Sequence, residues 1–183
     1  MARRIGRFLF AVPILLGVLG LVAGAPARAA AGEVIVLSAT GPVESILAEY
    51  LEQGIVRAGT DRANAVVIRI DTPGGRLDAT ERIVSALLDA PIPTIVWVAP
   101  PGARAASAGT FITLAGHVAL MAPGTNIGAA SPIDASGEDI PGTLGQKIKN
   151  DAIASIRAIA EARGRNADWA AATVAEAKSS PAS

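Results

Sequence analysis

The stretch "AVVIRIDTPGGRLDATERIVSALLDAPIPTIVWVA" (Ala65–Ala99) holds two apolar patterns of different period, and their order decides the fold. "AVVIRID" is a β-branched run halted by "TPGG", as expected of a strand that ends in a turn. From Leu77 to Leu88 the apolar residues Ile83, Val84 and Leu87 return at helical spacing, and "APIP" closes that segment. "TIVWVA" (Thr94–Ala99) is strand-like again and is stopped by "PPG". Strand, helix and strand at this spacing predict a βαβ unit and a largely parallel sheet.

The flanking segments extend the same alternation. Upstream, "EVIVLSA" (Glu33–Ala39) reads as a strand closed by "TGP". Ile46, Leu47, Tyr50, Leu51 and Ile55 then mark an amphipathic helix between Val43 and Arg57. Downstream, a helix is expected to start near Ser107, and "HVALMA" (His117–Ala122) reads as a fourth strand. Residues 134–146, "DASGEDIPGTLGQ", are polar and glycine-rich and read as a mobile loop. Helices are expected from about Lys147 to Ala162 and from Asn166 to Lys178, with Asn166 as N-cap of the second.

The chain has 183 residues, enough for one domain with one core. Apolar residues make up 51% but aromatics only 3%, so the excess is aliphatic and suits Ala-rich helices around a buried sheet. Sixteen basic residues balance sixteen acidic ones, and this neutrality leaves no basic field for nucleic acid. With no Cys there can be no disulfide, thiolate zinc site or Cys nucleophile. The N-terminus sets Arg3, Arg4 and Arg7 before an apolar run from Phe8 to Ala25, followed by the A-x-A sequence Ala27-Arg28-Ala29. That layout predicts a secretory signal peptide over residues 1–30, with an uncleaved membrane anchor as the rival reading. In both cases the remaining domain, residues 31–183, is expected to be exported and to lie near a membrane.

In parallel α/β folds, ligands meet the loops at the carboxyl ends of the strands. Three such segments follow strand ends here, "DTPGG", "PPGARAASAG" and "APGTNIGAASPID", and they are expected to share one rim. Gly74 and Gly75 expose backbone N–H groups that could hold an oxyanion, or they serve a tight turn that needs positive φ. Asp71 reads as a structural cap or ion-pair partner. Ser107, at the start of a helix among small residues, is a candidate nucleophile, with the N–H of Ala108 beside it as an oxyanion donor; a helix N-cap is the other reading. The one imidazole, His117, leads into a strand that runs away from the rim and suits a base poorly. A lysine in a dry apolar pocket can serve instead, since desolvation favours its neutral form. The chain has three: Lys147, Lys149 and Lys178.

"IDTPGGRLDAT", "PPGARAASAGTFITLAGHVALMAPGTNIGAASPI" and "KIKNDAIASIRAIAEARGRNA" together resemble the NfeD family, membrane-associated serine proteases of the ClpP/crotonase superfamily, from about Val34 to about Val174. The resemblance implies a ClpP/crotonase-like α/β fold, mostly parallel, with βαβ units flanked by helices. It implies a Ser–Lys dyad, with Ser107 of "AASAGT" as nucleophile and Lys147, the first lysine of "KIKN", as base; Lys149 falls where the pattern requires no lysine. The glycine turn matches the superfamily's oxyanion element, Gly75 ahead of Gly74, with the Ala108 N–H as second donor. By the same analogy the substrate is a hydrophobic segment of a stomatin-like membrane protein, the assembly is at least a homodimer, and neither cofactor nor metal is needed. Family members continue beyond the last helix with an acidic helix and a further strand, and long forms add membrane spans and a small β-barrel, so the chain's ending in "SSPAS" reads as a fragment or a truncated form. Two other readings remain: a catalytically silent module that scaffolds a stomatin-like partner, and crotonase-type acyl-CoA chemistry, which the export signal opposes.

Overall fold

The computed structural model describes residues 32–134 and 136–182; the leader reading over residues 1–30 lies outside the described residues. Four strands, β1 (Val34–Thr40), β2 (Ala65–Asp71), β3 (Thr94–Val98) and β5 (Val118–Met121), form a sheet in the order β1-β2-β3-β5, parallel throughout. Helix α1 (Ser45–Thr60) connects β1 to β2, and α2 (Leu77–Leu88) connects β2 to β3. The βαβ units expected from the sequence are thus present.

A second sheet, not expected from the sequence, stands beyond the carboxyl ends of the first. It comprises β4 (Arg104–Ala106), β6 (Asn126–Gly128) and β7 (Ser179–Pro181), with β4 parallel to β6 and β7 antiparallel to it. A bridge from Thr72 to Ala105 binds it to the turn after β2, and a bridge from Val43 to Gly75 joins that turn to the one after β1. The three rim segments therefore converge because each continues into this small sheet or pairs with it.

Helix α3 (Ala108–Ala115) runs between the sheets with all eight residues buried. On one face of the large sheet, Leu37, Ile68 and Val96 align across neighbouring strands, as do Ala39, Ile70 and Val98, and all six are buried. Leu51 and Ile55 of α1 and Ile83 and Leu87 of α2 join the same core. Burial of each such side chain contributes about 1.5–3 kcal/mol. Ile46 and Tyr50, assigned to the buried stripe of α1 by spacing, lie on its exposed side; the stripe is Ala48, Leu51, Ile55 and Ala58.

No element among the described residues covers the other face of the sheet. Val36, Val67, Ile95 and Val118 lie in one row across it, and Ser38, Arg69, Trp97 and Leu120 in the next. Val36 is 60% exposed, Val118 45% and Leu120 50%, whereas parallel sheets are ordinarily covered on both faces. The sheet is therefore aliphatic as composition suggested, but buried on one side only.

The segment read as a mobile loop over 134–146 is partly helical: α4 spans Gly142–Ala162 and starts five residues before Lys147. Gly145 belongs to that helix, and a Cβ there would stand 1.8 Å from the carbonyl oxygen of Ile140, so the glycine admits a close chain crossing rather than marking a loop. The last helix, α5 (Ala167–Ala175), is capped by Asn166, whose side chain accepts the Trp169 N–H, and gives way to β7 before Lys178 is included. No helix among the described residues is long and apolar enough to cross a membrane.

Candidate active site

Ser107 joins β4 to α3 in a conformation that L-residues seldom adopt, φ 50° and ψ −113°. Such backbone costs on the order of 1–3 kcal/mol and persists only where neighbours fix it. Here the Ser107 N–H donates to the Gly128 carbonyl at 2.9 Å, and the Ser107 carbonyl accepts the Thr110 N–H at 2.9 Å. Ser107 occupies the N-cap position of α3, but its side chain makes no capping hydrogen bond. Its hydroxyl stands half-buried at a cavity of about 370 Å³, lined by Gly75, Thr80, Ala108, Phe111, Ile133 and Ile148 among others. The opening is mostly aliphatic.

The two glycines of the turn differ in what their amides are free to do. Gly74 has φ +123°, and its N–H donates to the hydroxyl of buried Thr72 at 3.1 Å. The bridge to Val43 uses the atoms on either side of Gly75: Val43 N–H donates to the Gly74 carbonyl at 2.8 Å, and Arg76 N–H to the Val43 carbonyl at 2.9 Å. A Cβ on Gly75 would stand 2.2 Å from the Val43 oxygen, so only glycine fits. The Gly75 N–H has no hydrogen-bond partner among the described residues, nor has that of Ala108, the first residue of α3. First-turn amides have no partner within their own helix. Both residues line the cavity that holds Ser107, whereas Gly74 backs it from behind. Gly75 and Ala108, rather than Gly74, therefore present unpaired donors at the serine.

Lys147 lies on the second turn of α4, exposed to solvent, and does not line this cavity; its neighbour Ile148 does. The dry pocket expected around the lysine is thus not formed among the described residues. Lys149 is half-buried on the same helix, and Lys178 lies just before β7, where its carbonyl accepts the Ala129 N–H at 2.9 Å; neither lines the cavity.

His117 sits at the other end of the sheet, where its Nδ1 accepts the Thr94 N–H at 3.2 Å. Burial, with Arg163 and Arg165 nearby, holds its pKa below the ordinary imidazole value. It takes no part in the site. Asp71 accepts the Arg104 N–H at 3.1 Å, which fixes β4 to the end of β2, a structural role. Arg163 and Arg165 donate to the carbonyls of Leu87, Leu114, Ala115 and Gly116 and so terminate α2 and α3.

Sequence reasoning missed Phe111, Ile140 and Ile148 as cavity walls. It also missed Thr72 and Thr110, whose hydroxyls brace the two halves of the site.

The model of the family described as NfeD1b, N-terminal domain, matches residues 33–182. A relative named membrane-bound protease PH1510, from Pyrococcus horikoshii, is 42% identical over 157 residues, 84% of this chain but 35% of the relative. The chain thus spans about a third of that relative's length. The solved 1510-N membrane-bound stomatin-specific protease is similar in two forms. Its serine-to-alanine mutant gives a TM-score of 0.77 at 40% identity, covering 83% of this chain and 74% of that one. Its lysine-to-alanine mutant in complex with a substrate peptide gives 0.76 at 39% identity, covering 83% and 70%. ClpP1 from Listeria monocytogenes, at 21% identity and a TM-score of 0.58 over 74% of this chain and 76% of its own, shares the fold. The chain belongs to the NfeD1b N-terminal domain family and has a ClpP-like α/β fold.

Proposed function

We propose that the chain is a serine endopeptidase that cuts hydrophobic segments of stomatin-like membrane proteins, with Ser107 as nucleophile and Lys147 as base. The observation that carries this reading is the strained elbow at Ser107, which offers an unbonded hydroxyl to an apolar cavity beside the two unpaired amides of Gly75 and Ala108. The relatives named proteases support it, as does the choice of a serine and a lysine as the residues replaced in the solved relative.

In this mechanism Ser107 Oγ attacks the scissile carbonyl carbon while its proton passes to the neutral amine of Lys147. The carbonyl oxygen takes the charge and is held by the Gly75 and Ala108 N–H groups. Collapse breaks the C–N bond, the lysine returns the proton to the leaving amine, and water, deprotonated by the same lysine, releases the acyl group. Lys147 starts exposed, so a peptide laid across Ile140 and Ile148 has to displace the water around it before it can act. Labelling with a serine-reactive fluorophosphonate tests the dyad. Wild type should react at Ser107, Ser107→Ala not at all, and Lys147→Ala slowly; equal labelling of all three removes the proposal.

The exposure of Lys147 is also the observation that favours the second reading, a silent module that binds a stomatin-like protein without cutting it. Capture of such a protein that is unaffected by Ser107→Ala and yields no cleavage product would decide for it.

The proposal includes a homodimer and an exported, membrane-proximal location. The open aliphatic face of the large sheet supports self-association, because a second copy would give it the cover that parallel sheets ordinarily have. The Arg-led apolar N-terminus supports export.

A further inference from the structure

Thr110 is completely buried and lines no part of the Ser107 cavity. Its hydroxyl lies 3.0 Å from the Ala105 carbonyl and 3.0 Å from the Gly128 carbonyl, and it accepts the Gly128 N–H at 3.1 Å. One side chain on the first turn of α3 thereby ties β4 to β6. The other buried threonine hydroxyls do not join two strands of the small sheet: that of Thr72 bonds Gly74 within its turn, that of Thr94 bonds His117 in the large sheet, those of Thr80, Thr125 and Thr173 bond carbonyls three or four residues back, and that of Thr113 has no partner among the described residues.

The consequences fall on Ser107. Its N–H ends on the Gly128 carbonyl, which Thr110 also contacts, and its carbonyl is held by the N–H of Thr110 itself. Both backbone polar groups of the strained residue therefore depend on Thr110. From this geometry we infer that Thr110 is a positioning residue. Its hydroxyl holds Gly128 in place so that Ser107 keeps its positive-φ conformation and its Oγ faces the cavity. This rests on the reading of Ser107 as nucleophile.

The test compares acylation of the whole chain by the fluorophosphonate across a concentration series. Thr110→Val keeps the shape but loses the hydroxyl. Its saturating rate should fall by about 10- to 100-fold, since a misplaced reactive group costs rates of that order, with the half-saturating concentration unchanged. Thr110→Ser restores the hydroxyl and should restore the rate. Thr125→Val, which removes a buried hydroxyl away from the elbow, should lower the melting temperature without slowing acylation. If Thr110→Val does not fold, Thr110→Ala, with no added methyl, supplies the same comparison. A wild-type rate in the folded valine or alanine variant, or a serine variant as slow as they are, overturns the inference while leaving Ser107 as nucleophile. A wild-type protein that is not labelled at Ser107 overturns the functional reading and this inference with it.

Discussion

A Cβ added to Gly74 would stand 2.8 Å from the Cβ of Ser107 and 3.4 Å from its Oγ. The glycine turn and the serine elbow are thus in direct contact, and both are held in backbone conformations that favour glycine. Gly74→Ala adds a methyl group against the Ser107 side chain and strains a residue at φ +123°. The substitution is expected to cost about 1–3 kcal/mol in thermal or urea unfolding. It should also cut fluorophosphonate labelling of Ser107 by about 10-fold or more. A variant that labels as wild type would show that the contact does not matter for reactivity.

Gly128 is squeezed from the other side. A Cβ there would lie 2.2 Å from the Lys178 carbonyl oxygen and 2.6 Å from the Ser179 Cα. Gly128→Ala should therefore push β7 off β6, seen as faster amide hydrogen exchange over residues 177–182, and slow Ser107 labelling in parallel. Faster exchange with undiminished labelling would separate β7 from the elbow.

Arg165 donates to the carbonyls of Leu114 and Gly116, both at 2.9 Å, at the end of the helix whose first turn follows Ser107. Arg165→Ala strands those carbonyls and should destabilise by about 1.5–3 kcal/mol. Arg165→Lys should recover little of the loss, since an ammonium lacks the planar fork that reaches both acceptors. Chemical denaturation of the three proteins checks this.

Stability should also fall with acid through His117. Its folded pKa lies below the ordinary 6.5, chiefly through burial and then through Arg163 and Arg165. The unfolded chain therefore binds more protons than the folded one in the window just below that value. The contribution is complete above the unfolded pKa and is lost as pH falls through the folded one. Melting temperatures recorded across that window should show a shallower slope for His117→Gln than for wild type; parallel curves would assign the slope to other groups.

Leu120 is 50% exposed on the open face of the sheet, beside Trp97. Leu120→Glu should leave the monomer's melting little changed but shift sedimentation from dimer to monomer. A dimer that survives the change would place the contact elsewhere.

The large sheet was legible because β2, α2 and β3 each declare their own period over seven, twelve and five residues. The small sheet was not, because β4, β6 and β7 have three residues each, too few for a pattern, and exist through pairing with distant chain. The early start of α4 was hidden by Gly142 and Gly145, which weaken local propensity while packing of Ile156 and Ile159 sustains the helix. At the site, Ser107 and the glycines stood out as residue types; the preference for Gly75 over Gly74 came from family likeness, and its physical reason lies in the Thr72 hydroxyl, which takes up one amide and leaves the other. Lys147 came from family likeness alone; neither spacing nor burial singles it out.

The three short strands around the serine are drawn from positions 104–106, 126–128 and 179–181. During synthesis the first two emerge long before the third, and distant pairings form late. A nascent chain therefore carries the Ser107 hydroxyl without the final brace until β7 has been made, so a proteolytic role for Ser107 would be deferred until that strand is in place.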